Sequence, residues 1–171
     1  PILVIGALAL ADCTLEHGCL KVIPGSHKTG TLDHIDTGNP ESILTRGQYI
    51  PEGFEEATAV EMPLKAGEIG LFNAQIIHGS GINTAHARRV ILLVEMMPTH
   101  VEARAHRDSA MLVRGVDNFG RVDFDPSPRE EFGPNELAAW RNTSRKTGQN
   151  VFANSPLRPN GIYSEEHLGQ S

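Results

Sequence analysis

LFNAQIIHGSGINTAHARRVILLVEMM, residues 71–97, is the stretch from which the rest of the chain is best read. An apolar run closes on His78, Gly79-Ser80-Gly81 follows, and Arg88-Arg89 opens a second apolar run, Val90–Met97. The second run is β-branched at its start, which suits a central strand. A histidine at a strand end is held rigidly while its ring reaches into a cavity. The glycines beside it let a ligand approach the backbone closely. Neighbouring strand residues point to opposite faces, so Arg88 and Arg89 cannot both serve that cavity.

Working outward, strand patterns recur at short intervals. Ile2–Leu10 is a continuous apolar run and Cys19–Ile23 a second strand, with Asp12–Gly18 as the turn between them. Pro24-Gly25-Ser26 breaks the chain. Residues 29–53 form a long polar excursion, in which 40–46 could hold a short helix capped by Asn39. Ala59–Leu64 alternates, Glu68–Asn73 follows, Ile76–His78 continues that strand or begins another, and Ala110–Val116 is a weaker strand pattern. Asn135–Arg145 reads as a helix, with Pro134 before it, Leu137 and Trp140 as its apolar stripe, and Arg141, Arg145 and Lys146 toward its C-terminal end. The tail from Asn150 is rich in Pro, Asn and Gly, and is expected to wrap the surface or fray. Short strands, Gly/Pro turns and one late helix predict an all-β fold with a minor helix, a sandwich or jelly roll.

The chain has 171 residues, enough for one domain of ordinary size. We read 1–124 as its β core and 125–171 as a C-terminal helix and surface tail of the same domain. A formal net charge of -6 leaves no basic excess for phosphates, so nucleic acid is not an expected partner. The longest apolar run, 2–11, is too short to span a bilayer, which takes about 20 residues. Cys13 and Cys19 form no C-x-x-C and read as free buried thiols of a reducing, cytoplasmic setting.

Two stretches, EHGCLKVIPGSHK at 16–28 and HGSGINTAHARR at 78–89, resemble the signatures of the phytanoyl-CoA dioxygenase family. The resemblance covers most of residues 2–124. It implies a double-stranded β-helix (a cupin-like jelly roll) and Fe(II)- and 2-oxoglutarate-dependent dioxygenase activity that hydroxylates a small organic substrate. It implies His78 as a metal ligand. Arg89, eleven positions on, matches the arginine that pairs with the far carboxylate of 2-oxoglutarate, and Ser80 the hydroxyl that assists it. The chemistry is coherent, because such iron sites use two histidines and a carboxylate on one face of the metal. A planar guanidinium grips a carboxylate through two parallel bonds.

The family's first two ligands are a His-x-Asp pair before the strand that here begins at Ile2, so the fold is expected to lack its N-terminal part. His34-Ile35-Asp36 and His106-Arg107-Asp108 have the form but come too late in the chain. His27 is expected to brace its loop, and His86, His100 and His167 to be surface residues. The alternative readings are a jelly-roll binding module without a functional metal site, and a half-domain completed by other residues. Association of identical chains is compatible with any of these.

Overall fold

A computed structural model describes residues 3–39, 42, 44–103 and 105–169. Contacts gather into two units, Pro1–Asp33 with Ile50–Pro98, and His34–Tyr49 with Thr99–Ser171.

The first unit is a pair of three-stranded antiparallel sheets. One has the order β4-β1-β6, from β1 (Val4–Ala9), β4 (Ile69–Asn73) and β6 (Ile91–Met96). The other has the order β3-β2-β5, from β2 (Leu20–Val22), β3 (Val60–Met62) and β5 (His78–Ser80). The chain passes back and forth between the sheets in the manner of a double-stranded β-helix, the jelly-roll architecture that the strand pattern predicts.

The register decides which side chains face inward. Ile5 stands opposite Phe72 and Glu95, Ala7 opposite Gly70 and Leu93, and Ala9 opposite Ile91. Ile5, Ala7 and Phe72 form the buried cluster, against which Leu20 and Met62 of the second sheet pack. Removing Phe72 from water contributes about 2–3 kcal/mol. Small residues keep the sheets close: a Cβ on Gly70 would lie 2.7 Å from Cε of Met62.

The outer face of the first sheet is apolar too. Val4, Gly6 and Leu8 lie there with Ile69, Leu71, Leu92, Val94 and Met96, and the last five are exposed. Contrary to the sequence expectation, β6 is an edge strand among the described residues and β1 holds the centre. β1, built of small and branched apolar residues, is the one flanked on both sides. β5 is likewise an edge.

In the second unit the helix is longer than its sequence signals suggest. α1 runs over Pro134–Phe152, so Arg145 and Lys146 lie within it rather than at its end. Gly148 does not stop it, because the missing side chain makes room for Tyr163, whose Cβ would be 3.1 Å from a Cβ at 148. The buried face lies in its second half, at Gly148 and Phe152, whereas Trp140 is 45 % exposed. The tail is anchored rather than frayed: a short helix α2, Glu165–Leu168, begins on a Ser164 cap and buries Leu168. Ala110–Val116 does not form a strand; only Ser109–Ala110 (β7) pairs, in parallel, with Asp123–Phe124 (β8). Of the short helix expected at 40–46, positions 40, 41 and 43 lie outside the described residues, while 42 and 44–46 are bend and turn rather than helix. Among the described residues no helix is long and apolar enough to cross a membrane.

Candidate metal and cosubstrate site

His78 begins β5 rather than ending a strand, and the register sets its direction. It stands opposite Val22, with Ser80 opposite Leu20. Residues two apart share a face, so His78, Ser80 and Leu20 all lie on the surface that packs toward the buried cluster. The imidazole meets the ring of Phe72 at a centroid distance of 5.4 Å. His78 is nonetheless exposed, as is Ser80. Nδ1 of His78 lies 2.8 Å from the carbonyl oxygen of Ile76. A carbonyl can only accept, so Nδ1 carries a proton, and in the neutral ring Nε2 is then the nitrogen with the lone pair. A ring nitrogen donating to a backbone carbonyl while the other stays free is the usual arrangement of a metal-binding histidine.

Arg89 precedes β6 by two residues and shares parity with Ile91 and Leu93 on the inward face of the other sheet; Arg88 has the opposite parity. The pairing continues past the strand's start, since Leu10 N–H donates to the carbonyl of Val90. The Arg89 guanidinium is partly buried and donates to the carbonyl of Gly18. Among the described residues no carboxylate pairs with it. Its charge acts on the thiols of Cys13 and Cys19, lowering both, but burial dominates and leaves both above the ordinary thiol value. In Cys19, hydrogen bonding to Glu61 raises it further.

The turn before β2 joins the strands that carry these residues. Backbone N–H groups of Thr84 and Ala85, in the 81–90 connection, donate to the carbonyl of Glu16. Gly18 has φ +62, and a Cβ there would lie 2.3 Å from the Gly81 carbonyl oxygen. Only glycine fits that conformation and that approach.

Neither late His-x-Asp pair belongs to a three-donor group among the described residues. Asp36 accepts from Nε and Nη2 of Arg46, the latter at 2.7 Å, and from the Ser155 hydroxyl at 2.5 Å. Its carboxylate is therefore spoken for, and those bonds hold its pKa below the ordinary value. Asp108 Oδ1 accepts from the Ser109 N–H. Among the described residues no group of three or more His, Cys, Asp and Glu side chains could hold a metal ion. His78 thus fits iron as one ligand, and the described residues do not complete the set.

Sequence reasoning missed Ser26. Its hydroxyl, in the Pro-Gly-Ser-His-Lys corner, accepts from the N–H of Ile77 at 2.8 Å. This serine braces the corner through that bond; Nδ1 of His27 is buried without a hydrogen-bond partner among the described residues.

The family profile of phytanoyl-CoA dioxygenase (PhyH) matches residues 1–91. A "Phytanoyl-CoA dioxygenase domain-containing protein 1 homolog" of Caenorhabditis briggsae is 32% identical over 99 residues, which are 53% of this chain and 33% of that protein. A "Phytanoyl-CoA dioxygenase" of Arabidopsis thaliana is 35% identical over 82 residues, 48% of this chain and 28% of that protein. The chain therefore spans only about a third of the length of these relatives. Among solved structures, the apo form of the non-heme monooxygenase ThoJ superposes with a TM-score of 0.76 at 26% identity, covering 89% of this chain and 54% of ThoJ. The profile match takes in both sheets up to the first residue of β6, and on that ground the chain belongs to the phytanoyl-CoA dioxygenase family.

Proposed function

We propose that this chain carries the distal-histidine and cosubstrate-arginine half of an Fe(II)- and 2-oxoglutarate-dependent dioxygenase that hydroxylates a small organic substrate. The observation that carries the reading is the inward-face register of His78 and Arg89 on two sheets packed against each other. His78 offers Nε2 to the metal. Arg89, with no carboxylate partner among the described residues, pairs with the far carboxylate of 2-oxoglutarate, and Ser80 adds its hydroxyl. Bound iron supplies the activation of oxygen; this chain's part is to orient the cosubstrate and one ligand. β5, which carries His78, has an outer edge with no partner among the described residues, and a strand bearing further metal donors would fit there. Buried thiols fit a reducing, cytoplasmic setting.

The test is succinate release from 2-oxoglutarate by the full-length gene product with Fe(II), against Arg89→Ala. A charge-assisted pair is worth roughly 1.5–3 kcal/mol, so cosubstrate binding should weaken about tenfold or more. Unchanged turnover and unchanged 2-oxoglutarate dependence would remove Arg89 from the reaction.

A second reading, a binding module without a functional metal, draws on the absence of a three-donor group among the described residues. Metal analysis of the full-length product after Fe(II) reconstitution separates the two, since stoichiometric iron lost in His78→Ala supports the first.

A further inference from the structure

One peptide unit joins Ser26 to His78. The N–H of Ile77 donates to the Ser26 hydroxyl oxygen, at 2.8 Å. The carbonyl of Ile76, the other end of that same amide plane, accepts from Nδ1 of His78, also at 2.8 Å. The two bonds therefore run in series: hydroxyl, amide, imidazole.

Ser26 is itself fixed. It is 7% exposed; its N–H donates to Ile23, and its carbonyl accepts from the Thr29 N–H at 3.1 Å and the Thr29 hydroxyl at 2.7 Å. Ile23 N–H in turn donates to the carbonyl of Ile77, so the corner at Ile23–Ser26 holds the residue before His78 by both of its backbone groups. An amide whose N–H is engaged by an acceptor is polarised, and its carbonyl becomes a better acceptor. A part-buried Ile77 N–H without the hydroxyl would also tend to rotate the plane to find another partner.

From this we infer that Ser26 is a positioning residue for the metal ligand. Acting through the 76–77 peptide, it fixes the plane of the His78 ring and keeps the proton on Nδ1, so that Nε2 alone faces the site. The inference rests on the reading of His78 as a ligand, but its test needs neither metal nor turnover, so the two can fail separately.

The experiment is two-bond ¹H–¹⁵N correlation of the histidine rings in the whole chain, metal-free, at a pH where imidazole is neutral, with His78→Gln to assign the signals. Wild type should show Nδ1 protonated at residue 78. In Ser26→Ala the two nitrogen shifts of that ring should move toward each other, with the other histidines unchanged, and Ser26→Thr should restore the wild-type pattern. A wild-type ring protonated at Nε2, or a Ser26→Ala spectrum identical to wild type at residue 78, would overturn the inference. Should Ser26→Ala fail to fold, Ser26→Cys decides, since its sulfur is a weaker acceptor of similar shape: convergence of the two nitrogen shifts of residue 78 supports the role of the hydroxyl, and a wild-type pattern refutes it. A serine that merely stabilised the corner would lower the melting temperature without shifting the tautomer.

Discussion

The guanidinium of Arg89 donates to the carbonyl of Gly18, across 71 positions of sequence. Gly18 thus does two things at once: its carbonyl holds the arginine, and its bare Cα lets the Gly81–Ile82 backbone pass. Both contacts depend on a left-handed residue at the end of the Thr14–Gly18 turn.

Replacing Gly18 with alanine should therefore be costly. The new methyl meets backbone atoms rather than a flexible side chain, and the φ of +62 is itself unfavourable for alanine. Strain of that kind is typically about 1–3 kcal/mol before any clash is relieved. We expect the urea midpoint to fall with an unchanged slope; an unaltered midpoint would refute the tight approach of the two loops.

Acid should weaken the second unit through Asp36. Its carboxyl pKa is lowered below the ordinary 3.8, first by the Arg46 bonds and then by Ser155. A depressed folded value means that this contribution is complete above the unfolded pKa, near pH 4, and is lost as pH falls through the folded value. Asp36→Asn should accordingly be less stable at pH 7 and show a flatter decline below pH 4 than wild type. Denaturant titrations at a series of pH values measure both. Equal acid slopes in the two proteins would sink the assignment.

Neither thiol should react in the native protein. Cys13 and Cys19 are buried, and burial raises both above their ordinary value. Thiolate is the reactive form, so iodoacetamide at neutral pH should modify both only when the chain unfolds. Rapid native labelling of Cys19 would contradict its burial.

Leu168→Ala should destabilise by about 2–5 kcal/mol, the range for a fully buried leucine. Trp140→Ala, at a position 45 % exposed, should cost about 1 kcal/mol or less. Thermal unfolding of the two variants reverses the order that side-chain size alone suggests.

The β strands of the first unit were legible because their residues are apolar and their turns carry Gly or Pro. β1, β2, β3, β4 and β6 each fall inside a run read from pattern. Which strand lies at the centre was not legible, because the apolar run at 90–97 has the same composition whether one or both of its edges are paired. The helix was foreseen by its start and misjudged at its end, since the basic residues Arg141, Arg145 and Lys146 read as a C-terminal turn but lie inside Pro134–Phe152. His78 and Arg89 stood out by spacing and resemblance. Ser26 did not, because its partner is a backbone N–H 51 positions away, and no side-chain pattern records such a bond.

The open flanks of β5 and β6 bear on how the protein behaves outside its natural context. Each carries backbone donors and acceptors with no neighbouring strand among the described residues, and β6 itself presents Leu92, Val94 and Met96, all exposed. Such borders template the addition of further strands from any chain that offers them. Overproduced, the protein should collect in inclusion bodies or on chaperones. Lysine at position 94 should shift it toward the soluble fraction without touching the inner face.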